Sequence, residues 1–249
     1  MDTAEKLDPA QLLPAVRQSI NDFSASLPAG ERSAILTDAF CTGLASFLAL
    51  LAETSQVMNL TSDADPGHLL KTHVRDSLAP LIVGLEAPHS LLDIGTGGGF
   101  PAVPLALAWP STMVTMSESI GKKARFLESL VTGVPLPAAR VIHGRVEDHM
   151  SALPERAFDM ITARGVAHVA TVLQYALPLL ASNGRLVLWK GERDLVELQD
   201  PPFVATMYRV HCTATVLDYA VPGVERNSKL VILQVTPTLC GRSSGRNGT

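Results

Sequence analysis

Cysteine is scarce in this 249-residue chain: Cys41, Cys212 and Cys240 lie far apart. That spacing offers neither a metal-ligand pattern nor a disulfide framework, and it suits a reducing compartment. Aromatic residues make up 5%, too few for a platform that stacks long single strands of nucleic acid. Charge is also low, at 18% of residues and a net of −4, so the whole chain does not advertise a polyanion binder. The longest uninterrupted apolar stretch, Phe47 to Ala52, is far too short to span a bilayer. The N-terminus carries acids where a secretion signal needs a basic region. A cytoplasmic protein with no membrane association, no metal and a monomeric state is the expectation.

The hydrophobic fraction is 47%, enough for a real core. Charge is unevenly placed. Residues 1–90 carry five Lys/Arg against eleven Asp/Glu, whereas residues 91–249 carry fifteen against thirteen. A surface for an acidic partner belongs on the second part.

Asp8-Pro9 reads as a helix cap with proline at the first helical position, and a helix is expected to about Leu27. Pro28-Ala29-Gly30 breaks it. A second, apolar helix is expected from Ser33 to Val57, and a third from the Asp65-Pro66 cap to about Gly84. From Ser90 the period changes. Short apolar runs at Ser90–Ile94, Met113–Met116, Ala139–His143, Phe158–Ala163 and Arg185–Trp189 alternate with helices at Ala102–Ala108, Gly121–Val131 and Ala167–Ala181. Asn183-Gly184 is read as the stop of that last helix. Such alternation predicts an α/β doubly wound sheet. Cys212–Tyr219 and Lys229–Val235 read as a closing antiparallel hairpin. Three parts are expected: a helical N-terminal extension (1–85), an α/β domain (86–237) and a disordered tail (238–249).

The most informative segment is LLDIGTGGGFP, residues 91–101. A strand delivers Asp93, and Gly95, Gly97 and Gly99 turn the chain into a helix. Glycine lets backbone approach a ligand closely and accepts positive φ. This turn lies where doubly wound folds bind nucleotides. A dinucleotide fingerprint fits poorly. Counting from Gly95 the third glycine position is Phe100, and counting from Gly97 it is Ala102, which only the relaxed form accepts. Asp93 would also repel a pyrophosphate. S-adenosylmethionine has no phosphate and carries an ammonium, which an acid beside the glycines suits. Glu118, 19 residues beyond Gly99 at the end of the second strand, is placed to accept hydrogen bonds from ribose hydroxyls. Val146 and Glu147, after the third strand, are placed beside the adenine; for Glu147 alone, a plain helix N-terminal acid is an equal reading.

With these residues in place, LLDIGTGGGFPAVPLAL, SESIGKKARFL, GRVED, ITARGVA and LWKGE together resemble the bacterial 16S ribosomal RNA (guanine-N7) methyltransferases, the glucose-inhibited division protein B family. MNLTSD and HVRDSL upstream and ERNSKLVIL downstream are similar to its outer signatures. The resemblance covers roughly residues 45–237. It implies a class I, Rossmann-like methyltransferase domain, one bound S-adenosylmethionine and a 16S ribosomal RNA or small-subunit partner. It also implies cofactor contacts from Gly95 and Phe100, an adenine flanked by Val146 and Glu147, and Arg164 at the site after strand four. The chain departs from the family at Ala102, Ala163 and Gly165, all small-for-small changes beside the methyl donor.

Guanine N7 presents an in-plane lone pair and no proton, so its attack on a sulfonium methyl needs no general base. It needs a base held in line. The sequence agrees: no Asn/Asp-Pro-Pro-aromatic string follows strand four, and no cysteine ends a predicted strand. No catalytic acid, base or nucleophile is assigned. Arg164 suits the guanine edge, a phosphate or the cofactor carboxylate, or a surface ion pair. Lys190 suits a phosphate or plain solvation, and Lys122, Lys123 and Arg125 a solvated helix face. His73 and Asp76, three apart on one helix face, suit a structural hydrogen bond or the rim of the site. A small-molecule or protein acceptor, or a non-catalytic cofactor-binding protein on the ribosome, are the competing readings.

Overall fold

In the computed structural model, residues 6–58, 60–61, 64–136, 138–199, 210–224 and 228–237 are described. Seven strands form one sheet in the order β3-β2-β1-β4-β5-β7-β6. They are β1 (Ser90–Ile94), β2 (Met113–Glu118), β3 (Ala139–His143), β4 (Phe158–Arg164), β5 (Leu180–Lys190), β6 (Val210–Tyr219) and β7 (Ser228–Pro237). The first five run parallel, and β7 lies antiparallel between β5 and β6. Chain direction reverses sideways at β1, which pairs with β2 on one side and β4 on the other. That switch point is where an open α/β sheet leaves a crevice beyond its strand ends. Pairings Ile94 with Ser117, Ile94 with Ala163, and Arg164 with Trp189 bring these ends level.

β1 is buried along its whole length, and its side chains alternate between faces as a strand requires. Leu91 joins the core under the helices that precede the sheet, while Leu92 and Ile94 join the core under the opposite helix. The first core is filled by α1 (Pro9–Ser24), α2 (Ala29–Ile35), α3 (Asp38–Met58), α7 (Ala102–Ala108) and α8 (Gly121–Gly133). The second lies under α10 (Val169–Ala176). The helical preface thus shares a core with the sheet's own helices. α3 is long and apolar enough to cross a membrane by length and composition, but 61% of its apolar window is buried inside the fold. Leu44, Phe47, Leu48 and Leu51 point into the core.

The structure revises several helix limits. α1 begins as expected, with the Asp8 carboxylate accepting from the Ala10 N–H at 2.8 Å. The expected Ser33–Val57 helix is two helices, because Thr37 accepts the Phe40 N–H through its hydroxyl and caps a fresh start. The expected third helix begins at the Asp65 cap (His68 N–H to carboxylate, 2.7 Å) but is segmented. α4 (Pro66–Leu69) runs into a π-helical turn (Leu70–Val74), then α5 (Arg75–Ser77) and α6 (Ala79–Ile82). α10 stops at Ala176 because Pro178 follows. Asn183-Gly184 is therefore not a helix stop. It lies inside β5, where Asn183 has φ +65° and the register with β4 jumps from Phe158–Leu180 to Met160–Arg185. The hairpin is present with longer strands than expected. The tail from 238 onward, and Glu225 to Asn227 of the ERNSKLVIL motif, lie outside the described residues. α9 (Val146–His149) is the short helix after β3.

Candidate cofactor and acceptor site

The glycine turn is built by hydrogen bonds to the end of β2. The Gly95 and Thr96 N–H groups donate to the Ser117 carbonyl at 2.8 and 3.1 Å. The Gly97 N–H donates to one carboxylate oxygen of Glu118, and the Ile120 N–H donates to the other, both at 2.8 Å. Glu118 is therefore a buried brace for the turn, with lone pairs left at its edge. Gly97 has φ +62°, and a Cβ there would meet nothing nearer than the Gly95 carbonyl oxygen at 3.9 Å. The ligand side of the turn is thus open, and glycine keeps it so.

One cavity borders this turn, and a second lies beyond the end of β4. A cavity of about 240 Å³ is lined by Gly95, Ser117, Val146, Glu147, Val166 and Tyr175, among others. Three sequence-predicted residues, Gly95, Val146 and Glu147, meet there. Asp93 and Phe100 do not line it. Asp93 is fully buried beneath the turn; one carboxylate oxygen accepts from the Thr162 hydroxyl at 2.7 Å, and the other has no partner. Burial pushes its pKa up to about 7, against the lowering effect of Thr162 and Thr96. Phe100 lies at the far end of the same turn. Its ring packs against Phe47 and His73, with centroids 5.1 and 5.3 Å away, and the Arg164 guanidinium lies over it at 5.5 Å.

A larger cavity of about 970 Å³ opens beyond the ends of β4 and β5, with His68, His73, Asp76, Arg164, Trp189 and Lys190 in its wall. Arg164 donates to the Asp76 carboxylate at 3.1 Å and to His73 Nδ1 at 3.1 Å. Burial pulls the Arg164 pKa down, while Asp76 and Asp93 push it up. Tyr219 donates to the other Asp76 oxygen at 2.6 Å, and the Trp189 indole N–H donates to the Asp76 carbonyl at 2.8 Å. Lys190 donates to the Ala167 carbonyl at 3.3 Å. Lys122 is turned away, bonding the Met58 carbonyl at 2.7 Å. Sequence reasoning missed Tyr219, Trp189 and Tyr175 as members of the site. The sequence gives them no local signal; the sheet order alone brings the end of β6 beside α5. Among the described residues, no group of three or more His, Cys, Asp or Glu is placed to hold a metal.

The fit of these residues to S-adenosylmethionine rests on two observations. The open face at Gly97 leaves room for a ligand against the backbone, and the orphaned oxygen of Asp93 suits a nearby cation. The strand order and the glycine turn define the class I methyltransferase fold. Solved structures agree in fold. An O-methyltransferase from Bacillus cereus in complex with SAH has a TM-score of 0.56 at 18% identity, covering 87% of this chain and 100% of its own. The O-methyltransferase TomG from Streptomyces achromogenes, in complex with SAM, has a TM-score of 0.53 at 18% identity, covering 76% and 89%.

Residues 41–220 match the family described as rRNA small subunit methyltransferase G, and the chain belongs to that family. The Ribosomal RNA small subunit methyltransferase G of Chloroflexus aggregans is 42% identical over 134 residues, 53% of this chain and 56% of that protein. The Streptococcus agalactiae protein of the same name is 34% identical over 175 residues, 68% and 74%. The match to the Chloroflexus relative thus spans little more than half of its length.

Proposed function

We propose that this protein transfers a methyl group from S-adenosylmethionine to N7 of a guanine in 16S ribosomal RNA. The observation that carries the reading is the pair of cavities lined by consecutive residues at the end of β4: the larger by Arg164 and Gly165, the smaller by Val166 and Ala167 with Gly95. Membership of the family and the RNA named by its relatives support the acceptor. The protein acts as a cytoplasmic monomer on the small subunit or its RNA. Residues 86–237 form the methyltransferase domain, and residues 1–85 a helical extension that completes it.

Bound at the glycine turn, S-adenosylmethionine supplies an electrophilic methyl on a sulfonium. The chain's own residues bind and orient. The N–H-braced turn of Gly95–Gly97 would hold the cofactor against its own backbone, with Asp93 buried beneath it. Glu118 would offer its free lone pairs to the ribose, and Val146 and Glu147 would border the adenine. Arg164 and Lys190 present donors to the acceptor nucleotide in the larger cavity. No group takes a proton, because guanine N7 carries none. The rate enhancement comes from holding the base in line and away from water.

The test is transfer of radiolabelled methyl to RNA or small subunits from cells lacking the gene, followed by nucleoside analysis. Labelled 7-methylguanosine is the expected product. Label in another nucleoside, or none while cofactor binding is intact, overturns the assignment of the acceptor.

A further inference from the structure

We infer that Asp76 is a positioning residue for the methyl transfer, acting through Arg164; this rests on the acceptor assignment above. Three distant parts of the chain converge on it. α5 carries Asp76 itself, the end of β4 carries Arg164, and the end of β6 carries Tyr219. The Asp76 side chain is 7% exposed and that of Arg164 is 18% exposed, so the pair is shielded yet reaches the larger cavity.

Arg164 offers five N–H donors. One goes to Asp76 and one to His73, and its central carbon lies over the Phe100 ring at 5.5 Å. The same side chain lines the larger cavity. An arginine only donates, so in this contact His73 accepts at Nδ1. The Tyr219 hydroxyl fixes one Asp76 oxygen so that the other faces Arg164, and the Trp189 indole pins the Asp76 backbone. A long arginine free in a cavity samples many rotamers. This one is held in a single orientation before any nucleotide arrives, which is how oriented donors lower the cost of an in-line approach. The helical extension therefore contributes to the acceptor side of the site, through a π-helical turn that places His73 and Asp76 on the cavity wall.

The test compares Asp76→Asn, Tyr219→Phe and Arg164→Lys with the wild type. Asp76→Asn keeps shape and a hydrogen-bond acceptor, and thermal melting with cofactor titration identifies folded protein. The expected result for Asp76→Asn is a fall in kcat of about 10- to 100-fold. Cofactor affinity and the KM for RNA are expected to stay within about threefold of the wild type, a split that general loosening of the fold would not give. Tyr219→Phe is expected to show the same split with a smaller fall. Adding Asp76→Asn to Arg164→Lys is expected to cost no more than about twofold beyond the single change. Nitrogen-15 NMR of the Arg164 guanidinium supplies a readout independent of RNA. Two resolved Nη signals are expected in the wild type and one averaged signal in Asp76→Asn. Averaged signals in the wild type, or full kcat in Asp76→Asn, overturn the inference. A wild type that methylates no RNA overturns the acceptor assignment instead, and the NMR comparison still decides whether Asp76 holds Arg164.

Discussion

Asp93 sits beneath the glycine turn with no solvent contact, and burial raises its pKa to about 7 from 3.8. The folded protein therefore holds this proton to higher pH than the unfolded chain does. The associated stability is complete below the unfolded pKa and is lost as pH rises through about 7. Between about pH 5.5 and about pH 8.5 the cofactor-free wild type is expected to lose about 2 kcal/mol through this one group, and Asp93→Asn to lack that component. Urea unfolding of both proteins at the two pH values checks it; parallel pH dependences would contradict the assignment. Gly97→Asp is expected to weaken cofactor binding at least about 100-fold, by a strained positive φ and a carboxylate placed on the open face beside Glu118. Isothermal titration with S-adenosylmethionine reads this directly, and unchanged affinity would displace the site. At this scale the sequence was informative where chemistry is local. The glycines, Glu118, Val146 and Glu147 fall where the strand-turn-helix pattern puts them. The burial of Asp93, and the place of Phe100 beneath Arg164, depend on neighbours far along the chain, so no local pattern announced them.

Gly99 joins two elements. It has φ +102°, and a Cβ there would lie 2.9 Å from the Phe47 ring of α3 and 3.1 Å from Val103 of α7. Gly99→Ala is expected to destabilise the protein by about 2–4 kcal/mol, through strain and overpacking together, read as a fall in the urea midpoint with unchanged slope. A midpoint within error of the wild type would mean that α3 yields easily. Elements with clear caps and punctuation were legible: α7 and the first β-strand match their expected limits. The helix break at Thr37 and the Asn183 bulge were not, because their local signals are ambiguous, whereas the break at Leu78 carries its own signal in Pro80. A lone threonine hydroxyl or an Asn-Gly pair has the same local meaning in a helix cap, a turn or a bulged strand.

Across the molecule, the acidic first part and the mildly basic second part do not make a basic field at the larger cavity, where Arg164, Lys190 and Arg193 stand beside Asp76, Glu192 and Asp194; the proposed RNA contact depends on where each cation is held. RNA affinity is expected to fall by about tenfold or more between about 50 and about 200 mM salt. Lys190→Ala is expected to lower the salt slope by about one. Filter binding across a salt series measures both, and a flat dependence would remove phosphate contacts from the account. The order of the last two strands has its own consequence. β7 is made after β6 yet lies between it and β5, so β6 cannot join the sheet during synthesis until β7 has emerged and slotted in. Tyr219 reaches Asp76 only then. A chain that still lacks β7 can hold a glycine turn and an arginine but no fixed clamp, so the clamp is assembled only after β7 has joined the sheet.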